Sequence, residues 1–222
     1  MAILKFFRKF KNLGIQGSFA RWYDKNTREN RLAEMREYAE MIRAHISEGS
    51  HVLEVAPGPG YVSIELAKMG NYHITGMDIS EDFIKICKTN AQNENVNISF
   101  LTGNVSQMHF DDNSFDFIFC SAAFKNFKEP VKALKEMHRV LKEGGVALIT
   151  DMRRDSTKEG LKAEAARISK SGFERMFMVS TFKMLCKSAY TVTEMESMLA
   201  ETAFAGHEVK LGNISFFLYM HK

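Results

Sequence analysis

Long apolar runs are missing from this 222-residue chain. No stretch approaches the roughly 18–20 residues that cross a bilayer, so a membrane span is not expected. Cysteine is scarce: Cys87, Cys120 and Cys186 are the only three, and none forms a C-x-x-C pair. An odd, unspaced set argues against a disulfide framework and a structural zinc site, and points to a reducing, cytoplasmic setting. Proline occurs three times, at turn positions, so no Pro-rich linker divides the chain. Excess charge is missing as well. Thirty Lys/Arg against 27 Asp/Glu leave a formal +3, whereas nucleic-acid binding needs a concentrated basic face. The N-terminus lacks a continuous apolar core and a small-residue cleavage site, because Lys5, Arg8 and Lys9 interrupt it; a signal peptide is not expected. What remains is 45% hydrophobic and 26% charged, enough for one globular domain over 1–222.

The stretch from Val52 to Tyr61 organises that domain. Val52, Leu53 and Val55 favour a buried strand, and Glu54 sets a carboxylate near its carboxyl end. Gly58 and Gly60 let the backbone turn sharply and approach a ligand. A helix starting near Tyr61 would aim free N–H groups at that ligand. A dinucleotide fingerprint fails here, since Ser63 stands at the third glycine position. Glu54 would repel a pyrophosphate, and Pro57 and Pro59 remove two N–H groups that would cradle it. The turn therefore suits a cationic or hydroxyl-bearing ligand.

Taken in order, residues 1–47 read as N-terminal helices. Ile3, Phe6, Phe7, Phe10 and Leu13 share a basic helical face, which suits either weak contact with a membrane surface through residues 3–13 or packing on the domain. Arg28 to Ile46 reads as one amphipathic helix. Residues 48–155 alternate strands and helices: strands at 51–56, 72–78, 97–101, 115–120 and 146–150, with a helix from Glu81 to Asn93 capped by Ser80. A helix from Val131 to Leu141 is expected to stop at Gly144-Gly145. Residues 156–190 read as a two-helix cap rich in Met and Phe. Thr193-x-x-Glu196 reads as the capping box of a last helix. Strands on either side of Gly212-Asn213 read as a two-residue hairpin. The fold class is α/β: a Rossmann-like, seven-stranded, mostly parallel sheet with a C-terminal antiparallel hairpin and a helical cap.

Four segments in order resemble one family. They are Val52–Tyr61, Gly76-Met77-Asp78-Ile79-Ser80, Gly103-Asn104-Val105 through Phe110, and Phe115–Ser121 followed by His138–Gly145. The chain resembles class I S-adenosylmethionine-dependent methyltransferases, in particular the small-molecule branch with the ubiquinone and menaquinone biosynthesis enzymes. The resemblance implies S-adenosylmethionine as cofactor, no metal, and a site built from Tyr23, Glu54, Ala56, Gly58, Gly60, Asp78, Ile79, Asn104, Val105 and Ser121. Residue chemistry agrees at Asp78, a strand-end carboxylate about twenty residues past the turn, where both hydroxyls of a ribose can be held. Two departures stand out. Asn104 replaces an acid common beside the adenine, and Phe124-Lys125-Asn126-Phe127 replaces a segment that often carries histidines.

Methyl transfer from a sulfonium is an in-line displacement, in which the protein supplies proximity and a dry pocket. The candidate catalytic residues are Lys125, Asn126 and Asp151, with Arg153 and Arg154 beside them, and each also reads as an ordinary strand-end charge. His109 is a weak candidate, and His138 reads as structural. Tyr23 and Tyr190 close over the pocket or simply pack. The expected reaction is methyl transfer to a small apolar or aromatic molecule, on oxygen ahead of carbon or nitrogen. Two alternatives stand beside it: an RNA or protein methyltransferase docking through the basic N-terminal helix, and a cofactor-binding protein that has lost transfer.

Overall fold

The computed structural model describes residues 14–168 and 171–222. Residues 3–13, and with them the basic apolar face read from the sequence, lie outside that range. Helices α1 (Gly17–Asn30) and α2 (Leu32–Arg43) lead into β1 (His51–Val55), α3 (Tyr61–Ala67), β2 (His73–Asp78), α4 (Glu81–Asn93) and β3 (Ser99–Thr102). Then follow β4 (Phe115–Ser121), α5 (Pro130–Val140), β5 (Leu141–Met152), α6 (Lys158–Ile168), α7 (Gly172–Cys186), α8 (Val192–Leu199), β6 (Gly206–Leu211) and β7 (Ser215–His221). The sheet has seven strands in the order β3-β2-β1-β4-β5-β7-β6. β1 to β5 pair in parallel, and β7 runs antiparallel between β5 and β6.

Strand alternation divides the core into two layers. Phe117 and Phe119 of β4 join Val52 of β1 and face Met35, Ala39 and Ile42 of α2 and Ile64 of α3. Ile118 and Cys120 join Leu53 and Val55 and face Ala133, Leu134 and Met137 of α5. A smaller cluster of Leu161, Ala165, Phe182, Cys186 and Ile214 holds the cap pair α6–α7 together. Among the described residues no helix is long and apolar enough to cross a membrane.

The elements depart from the sequence reading at four places. The helix expected over 28–46 is two helices, broken at Arg31, whose φ of −130° ends α1 and begins α2. Gly144-Gly145 do not stop a helix. β5 starts at Leu141, and the glycines lie in a bulge between the Phe115–Leu141 and Phe117–Val146 pairs, with Gly144 at φ +75°. The capping box at α8 is Thr191 with Glu194, not Thr193 with Glu196. The hairpin connection is longer than two residues because Ile214 is drawn into the cap cluster, where its carbonyl accepts from Arg153 N at 2.9 Å.

Candidate functional site

The carboxyl end of β1 runs straight into left-handed backbone. Ala56 sits at φ +55°, Gly58 at +56° and Gly60 at +84°. Gly60 has no room for a side chain: a Cβ there would lie 3.0 Å from Cys87 Sγ and 3.2 Å from the Phe100 ring. Ala122, after β4, is also left-handed at φ +53°. Left-handed alanines at two neighbouring strand ends mark a place where the surrounding structure holds the backbone in an unfavourable conformation. Both line one cleft of about 370 Å³, its open mouth included, between the glycine turn and the N-terminal helices.

Two buried carboxylates stand at this edge. Glu54 accepts from Ser63 N at 3.0 Å and from Ser63 Oγ at 2.5 Å. Ser63, the residue that breaks the dinucleotide fingerprint, is thus Glu54's partner. Burial pushes the Glu54 carboxyl up to about 7, against the Ser63 hydrogen bonds that pull it down. Asp78 accepts from Ser80 N at 2.8 Å and Gly58 N at 3.3 Å. Burial lifts it to about 6, again against its backbone donors. Ser80 itself caps α4 by accepting from Phe83 N, which leaves Asp78 to tie β2 to the glycine turn.

The other wall comes from α1 and α2. Tyr23, Thr27, Arg31 and Met35 recur every fourth residue and all line the cleft. Of these the sequence reading singled out Tyr23 alone; the four-residue spacing is the signal that would have found the others. Arg31 grips Glu34 with two nitrogens, at 2.8 and 3.1 Å, and donates to the Tyr23 hydroxyl at 3.0 Å. Its guanidinium is held protonated by these partners despite its burial. Thr27 is buried, and its Oγ1 has no hydrogen-bond partner among the described residues. A buried orphan hydroxyl beside a cleft is a group waiting for a ligand atom or a water. Asp24 locks this wall down, accepting from Tyr61 Oη and Asn90 Nδ2 at 2.9 Å each.

The remaining expected residues are not all brought to the cleft. Ser121 lines it. Ile79 is partly exposed under Gly14, where an added Cβ would lie 2.9 Å from Ile79 Cγ2. Asn104 is exposed, and its Oδ1 accepts from Ser106 N at 2.9 Å. Val105 turns its side chain into the core and does not line the cleft. Lys125 and Asp151 are each other's partners: Nζ to Oδ1 is 2.5 Å, and Lys125 N donates to Oδ2 at 3.1 Å. Asn126 is exposed on the 3-10 turn Phe124–Asn126. Arg154 pairs with Glu194, and Tyr190 packs edge-on against Phe124. His109 is exposed, and His138 packs on Phe204 at 5.1 Å.

The donor set fits S-adenosylmethionine. Two buried carboxylates suit a sulfonium, an ammonium and ribose hydroxyls, Arg31 suits a carboxylate, and Gly58 opens the turn to close approach. The comparisons agree. The family described as "Methyltransferase domain" matches residues 53–149. A demethylmenaquinone methyltransferase of Chlorobaculum tepidum is 37% identical over 100 residues, 45% of this chain and 40% of that protein. A ubiquinone/menaquinone biosynthesis C-methyltransferase, UbiE, of Bdellovibrio bacteriovorus is 36% identical over 104 residues, 46% of this chain and 44% of that protein. The chain thus spans less than half the length of these curated relatives. A solved structure from Methanococcus maripaludis, described as an S-adenosyl-L-methionine-dependent methyltransferase, shares the fold with a TM-score of 0.70 at 23% identity, over 96% of this chain and 94% of that one. Glycine turn and strand-end acid lie in or directly beside the stretch, residues 53–149, over which this chain matches a methyltransferase domain.

Proposed function

We propose that this chain transfers a methyl group from S-adenosylmethionine to a small apolar or aromatic acceptor. The observation that carries the reading is the cleft itself, where the orphan hydroxyl of Thr27 on α1, the Arg31 guanidinium at the α1–α2 break and the buried Glu54 carboxylate share one lining with the left-handed turn, to which Asp78 is bonded through Gly58 N. When bound, the cofactor supplies an electrophilic methyl group on a positively charged sulfur. Asp78 holds the ribose hydroxyls, and Gly58 and Ala56 let the chain lie against the methionine portion. Glu54 offers negative charge to the amino group. Arg31 and Thr27 hold the carboxylate, and Tyr23 shields this end from water. These residues bind and orient; the displacement needs little more from them.

Acceptor chemistry is read from the residues beyond the ends of β4 and β5. Lys125 and Asp151 are committed to one another, so neither is a free general base, and an acceptor that is already acidic or electron-rich suits the site best. Phenolic oxygen leads on that ground. The likeness to a ubiquinone/menaquinone biosynthesis C-methyltransferase brings an electron-rich ring carbon level with it, as in a hydroquinone. The Lys125–Asp151 pairing also favours the second reading, a cofactor-binding protein without transfer. A cytoplasmic site of action suits the three free, buried cysteines.

Titration calorimetry tests the cofactor. S-adenosylmethionine should bind and NAD should not, and Asp78→Ala should weaken binding by more than about tenfold; heat with NAD alone would overturn the reading. Methyl transfer to a hydroquinone, followed with labelled cofactor, separates the enzyme from the binding protein. Steeply salt-dependent RNA binding would instead favour the macromolecular alternative.

A further inference from the structure

Helix α7 is apolar on two faces, and among the described residues only one of them is packed. Met178, Val179, Phe182, Leu185 and Cys186 close on α6 and Ile214. On the opposite side Phe173, Met176, Phe177 and Met184 recur at helical spacing and are 79, 66, 65 and 53% exposed. A helix that is apolar all round needs cover on both faces, and a contiguous exposed patch of this kind marks an interaction surface.

Charge says what covers it. Lys183 lies seven residues beyond Met176 and Lys187 four beyond that, so both cations stand along one margin of the exposed stripe. Both are exposed, as is Arg175. A second copy of the chain packed in parallel, stripe to stripe, would bring these cations against their own kind. Residues 1–13 do not complement the stripe either, since they carry Lys5, Arg8, Lys9 and Lys11 and no acid. Both segments complement an anionic surface with an apolar interior. We infer that α7 docks the cap on an anionic lipid bilayer, with Phe173, Met176, Phe177 and Met184 at the headgroup–acyl boundary and Lys183 and Lys187 on the lipid phosphates. The inference stands independently of the reaction, and it places the cap, rather than the sheet, against the membrane.

Vesicle co-sedimentation of the full chain tests it. Phosphatidylcholine vesicles containing about one-third phosphatidylglycerol should bind the protein, pure phosphatidylcholine much less, and high salt should release it. The double variant Phe173→Ser, Phe177→Ser should lose about tenfold or more of the affinity, with an unchanged circular dichroism spectrum, because both side chains are exposed. Lys183→Gln with Lys187→Gln should lose mainly the preference for anionic lipid. No binding to either vesicle would overturn the proposal. So would binding that ignores the α7 variants and follows only the cations of residues 1–13. Sedimentation velocity supplies a third arm: a dimer broken by the Phe variants, with vesicle binding untouched, would assign the stripe to a second copy instead.

Discussion

Glu54 and Asp78 are the residues on which acidity and binding meet. Both carboxyls are raised by burial, to about 7 and about 6, above the roughly 4 of an unfolded chain. The folded protein therefore holds extra protons between about pH 4 and pH 7, and their contribution to stability is full below that window and lost as pH rises through it. A positively charged ligand reverses the preference by favouring the ionised forms. Cofactor affinity should accordingly rise from pH 5.5 to pH 8. Binding near pH 6.5 should release protons, read as an enthalpy that changes with the ionisation heat of the buffer. Uptake of protons, or no buffer dependence, would place the carboxylates away from the cationic groups. The two acids were visible in the sequence as strand-end charges. Glu54's link to Ser63 was not, because a missing glycine says nothing of what its replacement bonds. Thr27 was hidden for the opposite reason: its one signal is the four-residue step from Tyr23, and nothing marks its hydroxyl until it is seen to lack a partner among the described residues.

Among the elements, those with local punctuation were legible. Ser80 followed by Glu81 and Asp82 fixed the start of α4, and the apolar run from Phe115 fixed β4. Boundaries were not legible where a side-chain contact, a distant strand or overlapping patterns decided them. Arg31 breaks a helix with neither glycine nor proline, and its side chain is engaged with Tyr23 and Glu34 at the break. Gly144 and Gly145 mimic a helix stop, yet exchange backbone hydrogen bonds with Lys222 at the end of β7, at 3.2 and 3.3 Å. At α8 two Thr-x-x-Glu frames overlap, and pattern alone does not choose between them. The structure chooses Thr191, which accepts from Glu194 N at 3.1 Å while Glu194 accepts from Thr191 N at 2.8 Å. Thr191→Ala should cost about 1 kcal/mol, lowering the thermal midpoint by about 2–4 °C. Thr193→Ala should do much less, and the reverse order of the two variants would contradict the assigned cap.

At the scale of the molecule, the alternation of strands and helices gave the class, and Gly212-Asn213 gave the terminal hairpin. What no local pattern supplied was how the cap joins the sheet. It leaves after β5 and returns before α8, and the two ends are tied together: Arg154 N donates to Tyr190 O at 3.1 Å, and Arg154 Nη1 to Ala189 O at 3.3 Å. The cap is thus a closed stem standing on the sheet. Its own small core is separate from the two layers that flank the strands, sharing with the rest of the chain chiefly Met152 and Ile214. Such a stem is interchangeable in principle. Excising residues 155–189 and bridging Arg154 to Tyr190 with a flexible turn of about four residues closes a gap of ordinary loop length. The shortened protein should fold and keep cofactor affinity within about tenfold by calorimetry; collapse of that affinity would show the cap to be part of the cofactor site. Grafting another protein's cap onto the same two residues would then leave the sheet and its glycine turn untouched, so that the cap in this architecture behaves as a detachable part.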